Sequence, residues 1–140
     1  RAVDIAPSNH LAHQALARAH FFRKELAACR TACDRALALN PLDGSNRFRE
    51  AFRTRILPAL HNFGPDLVLI SAGFDAHRED PLAQIELTEA DFTWVTEKLM
   101  EMADKHAGGR IVSLLEGGYD LDALARSTAV HVRVLMQASS

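Results

Sequence analysis

Apolar residues recur at helical spacing up to about residue 43, and from Gly44 the pattern alternates between helical stripes and short unbroken apolar runs. Leu11, Ala15, Leu16, Ala19 and Phe22 predict a helix over about residues 11–24, with Asn9 as its cap. A second helix over about residues 26–39 carries Leu26, Cys29, Cys33, Ala36 and Leu37 on one stripe. Asn40-Pro41 stops it, because proline disfavours helical geometry in the residue before it. Phe48, Phe52, Ile56, Leu60 and Phe63 then predict an amphipathic helix with Ser45 as cap. Pro58 falls inside that stripe and should kink it, at about 3 kcal/mol if uncompensated. After Gly64-Pro65, residues 66–71 carry the unbroken apolar run Leu67-Val68-Leu69-Ile70 and read as a strand buried on both faces, the signature of a parallel sheet covered by helices. A polar loop over residues 72–88 leads into a helix with Phe92, Val95, Leu99 and Met102 inward, opened by a Thr88/Asp91 capping box and closed by Gly108-Gly109. Residues 110–115 predict a second buried strand, and Leu121, Leu124, Ala125, Val132 and Leu135 a last helix. The order is βαβα, for which a right-handed crossover is expected. Two such strands need neighbours and covering helices on both sides, more than residues 44–140 provide.

Residues 2–7 and 36–41 echo one another at a period of 34 residues, the tetratricopeptide period, in which two antiparallel helices make one unit. Leu16-Ala17, His20, Cys29, Ala36 and Pro41 fill positions of that pattern, so residues 1–42 resemble the end of one repeat and one whole repeat. A lone repeat cannot bury its apolar face, since about three are needed for stability. The domain expectation is a helical hairpin over 1–43 joined near Asp43-Gly44-Ser45 to an α/β segment over 44–140.

Composition narrows the function classes. A net charge of -2 gives no electrostatic reason to expect nucleic acid or an anionic membrane. The longest strand-like apolar run, Leu67-Val68-Leu69-Ile70, falls far short of the ~20 residues of a membrane helix. Cys29 and Cys33 match neither a redox pair nor a zinc knuckle, and two cysteines that read as packing residues suit a reducing, cytoplasmic setting. The opening residue is Arg1 rather than Met, which fits a truncated or chimeric chain.

Ligands of open α/β sheets bind beyond the carboxyl ends of the strands. Two polar sequences sit there: Ser71-Ala72-Gly73-Phe74-Asp75-Ala76-His77 and Glu116-Gly117-Gly118-Tyr119. A carboxylate that can bind a divalent ion, beside a phenol that can donate to a developing oxyanion, suits a metal hydrolase. Taken singly, Asp75 could be a turn-former and Tyr119 a packing aromatic. His77 reads as a loop or rim residue. His10 and His13 read as surface histidines, though they could share a helix face, and His20, His61, His106 and His131 read as ordinary helix or loop residues. Arg47, Arg49, Arg53 and Arg55 read as a solvated helix face.

The first of those sequences, extended through Asp80-Pro81-Leu82, and the second, preceded by Leu115, resemble hallmark segments of bacterial and class II-like histone deacetylases. The leading helix, with Phe48-Arg49-Glu50-Ala51-Phe52 and Ile56-Leu57-Pro58-Ala59-Leu60, resembles theirs as well. The resemblance implies an arginase-like fold, zinc as cofactor, and hydrolysis of acetyl-lysine, acetylated polyamines or related amides. It makes Asp75 a zinc ligand, Tyr119 the donor to the tetrahedral intermediate, and Gly117 and Gly118 the loop lining the substrate tunnel. Asp80-Pro81-Leu82 would be scaffold. The family takes two further ligands from an upstream Asp-x-His segment and its base from a His-His pair, and this chain has no adjacent histidines. One carboxylate falls short of the three protein ligands usual for catalytic zinc, so the chain alone is expected to be inactive. The rival reading is an interaction module that binds a peptide in the repeat groove. A third is an unstable chimera.

Overall fold

The computed structural model describes residues 18–21 and 43–137. The helix over 26–39, most of the tetratricopeptide pattern, and His10, His13, Cys29 and Cys33 lie outside the described residues. The four residues described within the first expected helix overturn it. Arg18–Phe21 is a strand, β1, and no helix passes through it. It runs antiparallel to the strand Val68–Gly73 (β2), from Arg18 opposite Ser71 to Phe21 opposite Val68. The backbone groups of a buried strand must find partners, and that requirement outweighs helix preferences worth only tenths of a kcal/mol per residue.

The stripe that starts at Phe48 is buried as expected, but the chain carrying it comes in three pieces. Helix α1 (Ser45–Ala51) passes into a π-helical turn, Phe52–Ile56, and then into α2 (Leu57–Phe63). Pro58 explains the wide turn. It has no N–H to give Thr54, and its ring would crowd that carbonyl; the turn widens just before it, with the Leu57 N–H bonded to the Phe52 carbonyl. Ser45 is not the cap. Gly44 holds the cap position in an extended conformation, and the Ser45 hydroxyl instead donates to Asp91 Oδ2 at 2.6 Å. Gly64, at φ 59°, ends α2 in the left-handed region.

Helix α3 (Glu89–Ala107) opens with the expected capping box, Asp91 Oδ2 accepting from the Thr88 N–H at 3.0 Å, and closes at Gly108 with φ 58°. It links β2 to the parallel strand β3 (Ile111–Gly117), with Val68 beside Ile111 and Ala72 beside Leu115. Among the described residues the sheet order is β1-β2-β3. Phe48, Phe52, Leu60, Val68, Ile70, Phe92, Val95, Leu99 and Met102 belong to a single core between these helices and β2.

Two expectations, for β3 and for the arginine row, need correction. β3 is not buried on both faces: Val112 and Leu114 are 45% and 59% exposed, because among the described residues α3 and helix α4 (Leu121–Leu135) lie against the other side only. In α4 the inward stripe is Ala123, Ser127, His131 and Val134, whereas Leu121 is 78% exposed. The arginine row is not a uniformly solvated face. Arg49 donates to the fully buried Asp91 at 2.8 Å, and both Arg49 and Arg53 lie over the Trp94 ring, at 5.4 and 5.2 Å. Trp94 also meets Phe48 and Phe52 edge-on.

His131 is buried, unlike an ordinary surface residue. Its Nδ1 is 2.8 Å from Thr96 Oγ1 and its Nε2 is 2.8 Å from Ser113 Oγ, which ties α4 to α3 and to β3. The Thr96 hydroxyl spends its hydrogen on the Phe92 carbonyl at 2.6 Å, so it accepts from an Nδ1–H, and a neutral His131 accepts at Nε2 from Ser113. Burial lowers the His131 pKa, in keeping with the neutral ring.

Candidate functional site

The parallel pairing of β2 and β3 delivers both loops to the same edge of the sheet. The Phe74 N–H donates to the Gly117 carbonyl at 2.8 Å, which carries the pairing one step past the strands and sets Asp75 against the start of the glycine loop. Asp75 is 4% exposed. A Cβ on Gly117 would stand 3.0 Å from Asp75 Oδ1 and 3.1 Å from its carboxyl carbon, so a glycine here makes room for the carboxylate. Gly118 has φ +137°, and a Cβ there would meet Leu124 Cδ1 at 2.8 Å, so this position too requires glycine.

Asp80 couples the two loops. Its Oδ1 accepts from the Leu82 N–H at 3.0 Å, and its Oδ2 accepts from the Tyr119 N–H at 2.7 Å and the Asp120 N–H at 3.3 Å. The carboxylate thus holds the main chain of Tyr119 while leaving its side chain 56% exposed at the rim. Asp120 caps α4, accepting from the Ala123 N–H at 2.8 Å. The structure gives Asp80 the scaffold role the motif implied. Deeper in the same edge, the Ser71 hydroxyl donates to Glu116 Oε1 at 2.7 Å.

His77 is not at the rim. It is fully buried beside Phe92, its ring nearly parallel to that ring at 6.4 Å between centroids. Its Nδ1 accepts from the Glu79 N–H at 3.2 Å, and its Nε2 lies 3.4 Å from Glu89 Oε2. Glu89 also takes Arg126 Nε at 2.6 Å, and Arg126 Nη2 reaches Glu79 Oε2 at 2.6 Å. The Arg126 hydrogen bond, helped by a backbone N–H, holds the Glu89 carboxyl down at about 2. This chain of ion pairs fastens the loop after Asp75 to the first turn of α3 and the middle of α4. Sequence reading missed it, because Glu79, Glu89 and Arg126 are dispersed and carry no spacing signal.

Asp75 and the Gly117-Gly118-Tyr119 turn therefore meet at one edge, as expected. Among the described residues, no group of three or more His, Cys, Asp or Glu side chains is arranged to hold a metal ion. No helix of the described residues is long and apolar enough to cross a membrane.

Comparison with known proteins places this geometry. The histone deacetylase domain family matches residues 19–135, beginning within β1 and running across the boundary expected near residue 43. Type-2 histone deacetylase 1 of Dictyostelium discoideum is 41% identical over 101 residues, 72% of this chain and 7% of that protein. The histone deacetylase-like amidohydrolase of Pseudomonas aeruginosa is 41% identical over 81 residues, 58% of this chain and 21% of that protein. Among solved structures, the HDA15 HD domain superposes with TM-score 0.62 at 36% identity, covering 70% of this chain and 27% of its own. The histone deacetylase Clr3 superposes with TM-score 0.64 at 32% identity, covering 71% and 16%. The chain thus spans well under a third of each of these four proteins.

Proposed function

The chain belongs to the histone deacetylase family, and from that premise we propose that residues 44–140 form one wall of a zinc-dependent deacetylase pocket that does not turn over substrate alone. The observation that carries this reading is the seating of Asp75. It is a buried carboxylate with its oxygens 3.0 and 3.3 Å from where a Gly117 Cβ would stand, beside a tyrosine whose main chain Asp80 pins. In this reading Asp75 is a metal ligand, Tyr119 donates to the oxyanion of the intermediate, and Gly117 and Gly118 line the substrate tunnel. The substrate is an acetylated lysine side chain or a smaller acetylated amine such as a polyamine. Zinc would polarise the amide carbonyl and activate water when bound. One carboxylate does not supply the three protein donors of a catalytic zinc, and the sequence holds no adjacent histidines to act as base.

The test is hydrolysis of an acetyl-lysine peptide by the full chain with added zinc. No turnover above the uncatalysed rate is expected. Robust turnover that a chelator abolishes and Tyr119→Phe suppresses would overturn the reading. The repeat-based interaction module is the weaker reading, since Arg18–Phe21, inside its first expected helix, is a strand.

A further inference from the structure

A pair of facing histidines lies at the other end of the sheet. His61 stands in the last turn of α2 and His106 in the last turn of α3. Their positions precede the amino ends of β2 and β3, whereas Asp75 and Tyr119 follow the carboxyl ends. His61 Nδ1 and His106 Nε2 are 2.8 Å apart on the exposed side, with ring centroids at 5.1 Å. Two imidazole nitrogens this close share one proton in a hydrogen bond, one donating and the other accepting, and a metal ion that takes the proton's place could be held by both rings after they turn toward it.

We propose that His61 and His106 form a surface site for a borderline divalent transition-metal ion, with Cu2+ preferred over Ni2+ and Zn2+. Three observations support it. Imidazole nitrogen suits these ions and not Mg2+ or Ca2+, and the Irving–Williams order puts Cu2+ first. Adjacent positions of a tetragonal Cu2+ with metal–nitrogen bonds of about 2.0 Å lie about 2.8 Å apart, so the rings need to turn rather than separate. Exposed side chains can make that turn. Both rings also sit at helix C-termini, where the partial negative charge of the terminal carbonyls favours a cation. Against this stands Lys105, whose charge, after burial and ahead of His106, lowers the His61 pKa. The lowered pKa leaves His61 neutral and ready to ligate near pH 7. On binding, the shared proton moves through solvent to the outer nitrogen of the donating ring, so each imidazole stays neutral. No further His, Cys, Asp or Glu among the described residues completes a three-donor group, so water fills the remaining positions.

The test is calorimetric titration of the full chain with CuCl2 in a non-chelating buffer. One ion per chain is expected at the tightest site. His61→Gln and His106→Gln should each weaken it by about tenfold or more, since loss even of an outer-shell partner typically costs ~10–100-fold. The double variant should lose no more than either single, because both rings are needed together. A paired His10→Gln, His13→Gln variant should bind as the parent does. Paramagnetic resonance of the copper-loaded parent should show coupling to two imidazole nitrogens, a reading that does not depend on how any variant folds. Unchanged affinity in both single variants, loss of the tight site in the His10/His13 variant, or coupling to a single nitrogen would each overturn the site. None of these outcomes bears on the deacetylase reading of the opposite edge.

Discussion

Replacing Asp80 with asparagine or alanine tests whether one carboxylate presents Tyr119. Asp80 is almost wholly buried and accepts from three main-chain N–H groups, at 2.7 Å from Tyr119, 3.0 Å from Leu82 and 3.3 Å from Asp120. Hydrogen bonds to a charged acceptor contribute about 1.5–3 kcal/mol each, and the long contact to Asp120 adds little. Asparagine keeps one acceptor oxygen, so it loses one strong bond and turns an amide N–H toward another donor; a cost of about 2–3 kcal/mol follows. Alanine loses both strong bonds, about 3–5 kcal/mol before water compensates the half-exposed glycine loop. At the size of this chain each kcal/mol lowers the melting temperature by roughly 3–4 °C. Hydrogen exchange is the sharper assay. The amides of Tyr119 and Leu82 should lose protection in Asp80→Ala before the amides of β2 do, which would mark local release of the loop within a standing fold. If Tyr119 keeps its protection while overall stability drops, Asp80 serves the core and not the loop, and the reasoning fails.

Gly118→Ala should destabilise by about 1–3 kcal/mol through strain at φ +137° and contact with Leu124, and a concurrent Leu124→Ala should relieve only the contact part in denaturant titrations. Arg49→Met should cost about 2–4 kcal/mol, because the buried Asp91 loses its cation, and chemical denaturation should show the loss shrinking when Asp91→Asn is added. Acid should weaken the fold in two stages. His131 has its pKa lowered by burial, so the unfolded chain takes the proton first, and stability present above pH 6.5 is lost as pH falls below it. Glu89, held near 2, adds a second loss as pH falls from 4.5 toward 2. Urea titrations at stepped pH should show the first stage blunted in His131→Gln and the second in Arg126→Ala.

The fold was legible wherever a residue's neighbours along the chain decide its place. The Phe48 to Phe63 stripe, the Thr88 capping box and the glycine stops at Gly64 and Gly108 are local devices, and each stands where its pattern put it. Arg18–Phe21 was not legible, because its helix-forming composition was overruled by the edge of β2, a partner some fifty residues away. Arg49 misled for a similar reason: its partners Asp91 and Trp94 come from α3. At the candidate site the motif placed Asp75 and Tyr119 on one edge. The parallel pairing does bring their loops together, through the Phe74 to Gly117 hydrogen bond. The fastening beneath them, from His77 through Glu89 and Arg126 to Glu79, joins residues scattered over three elements and leaves no periodic trace.

The exposed face of β3 follows from which side its covering helices take. An apolar strand sequence such as Ile111-Val112-Ser113-Leu114-Leu115 suits burial on both sides, yet α3 and α4 cover only the side on which Ser113 meets His131. Val112 and Leu114 stand on the other side with no layer from the described residues over them. The edge of β3 beyond that face likewise has no strand beside it in the described sheet.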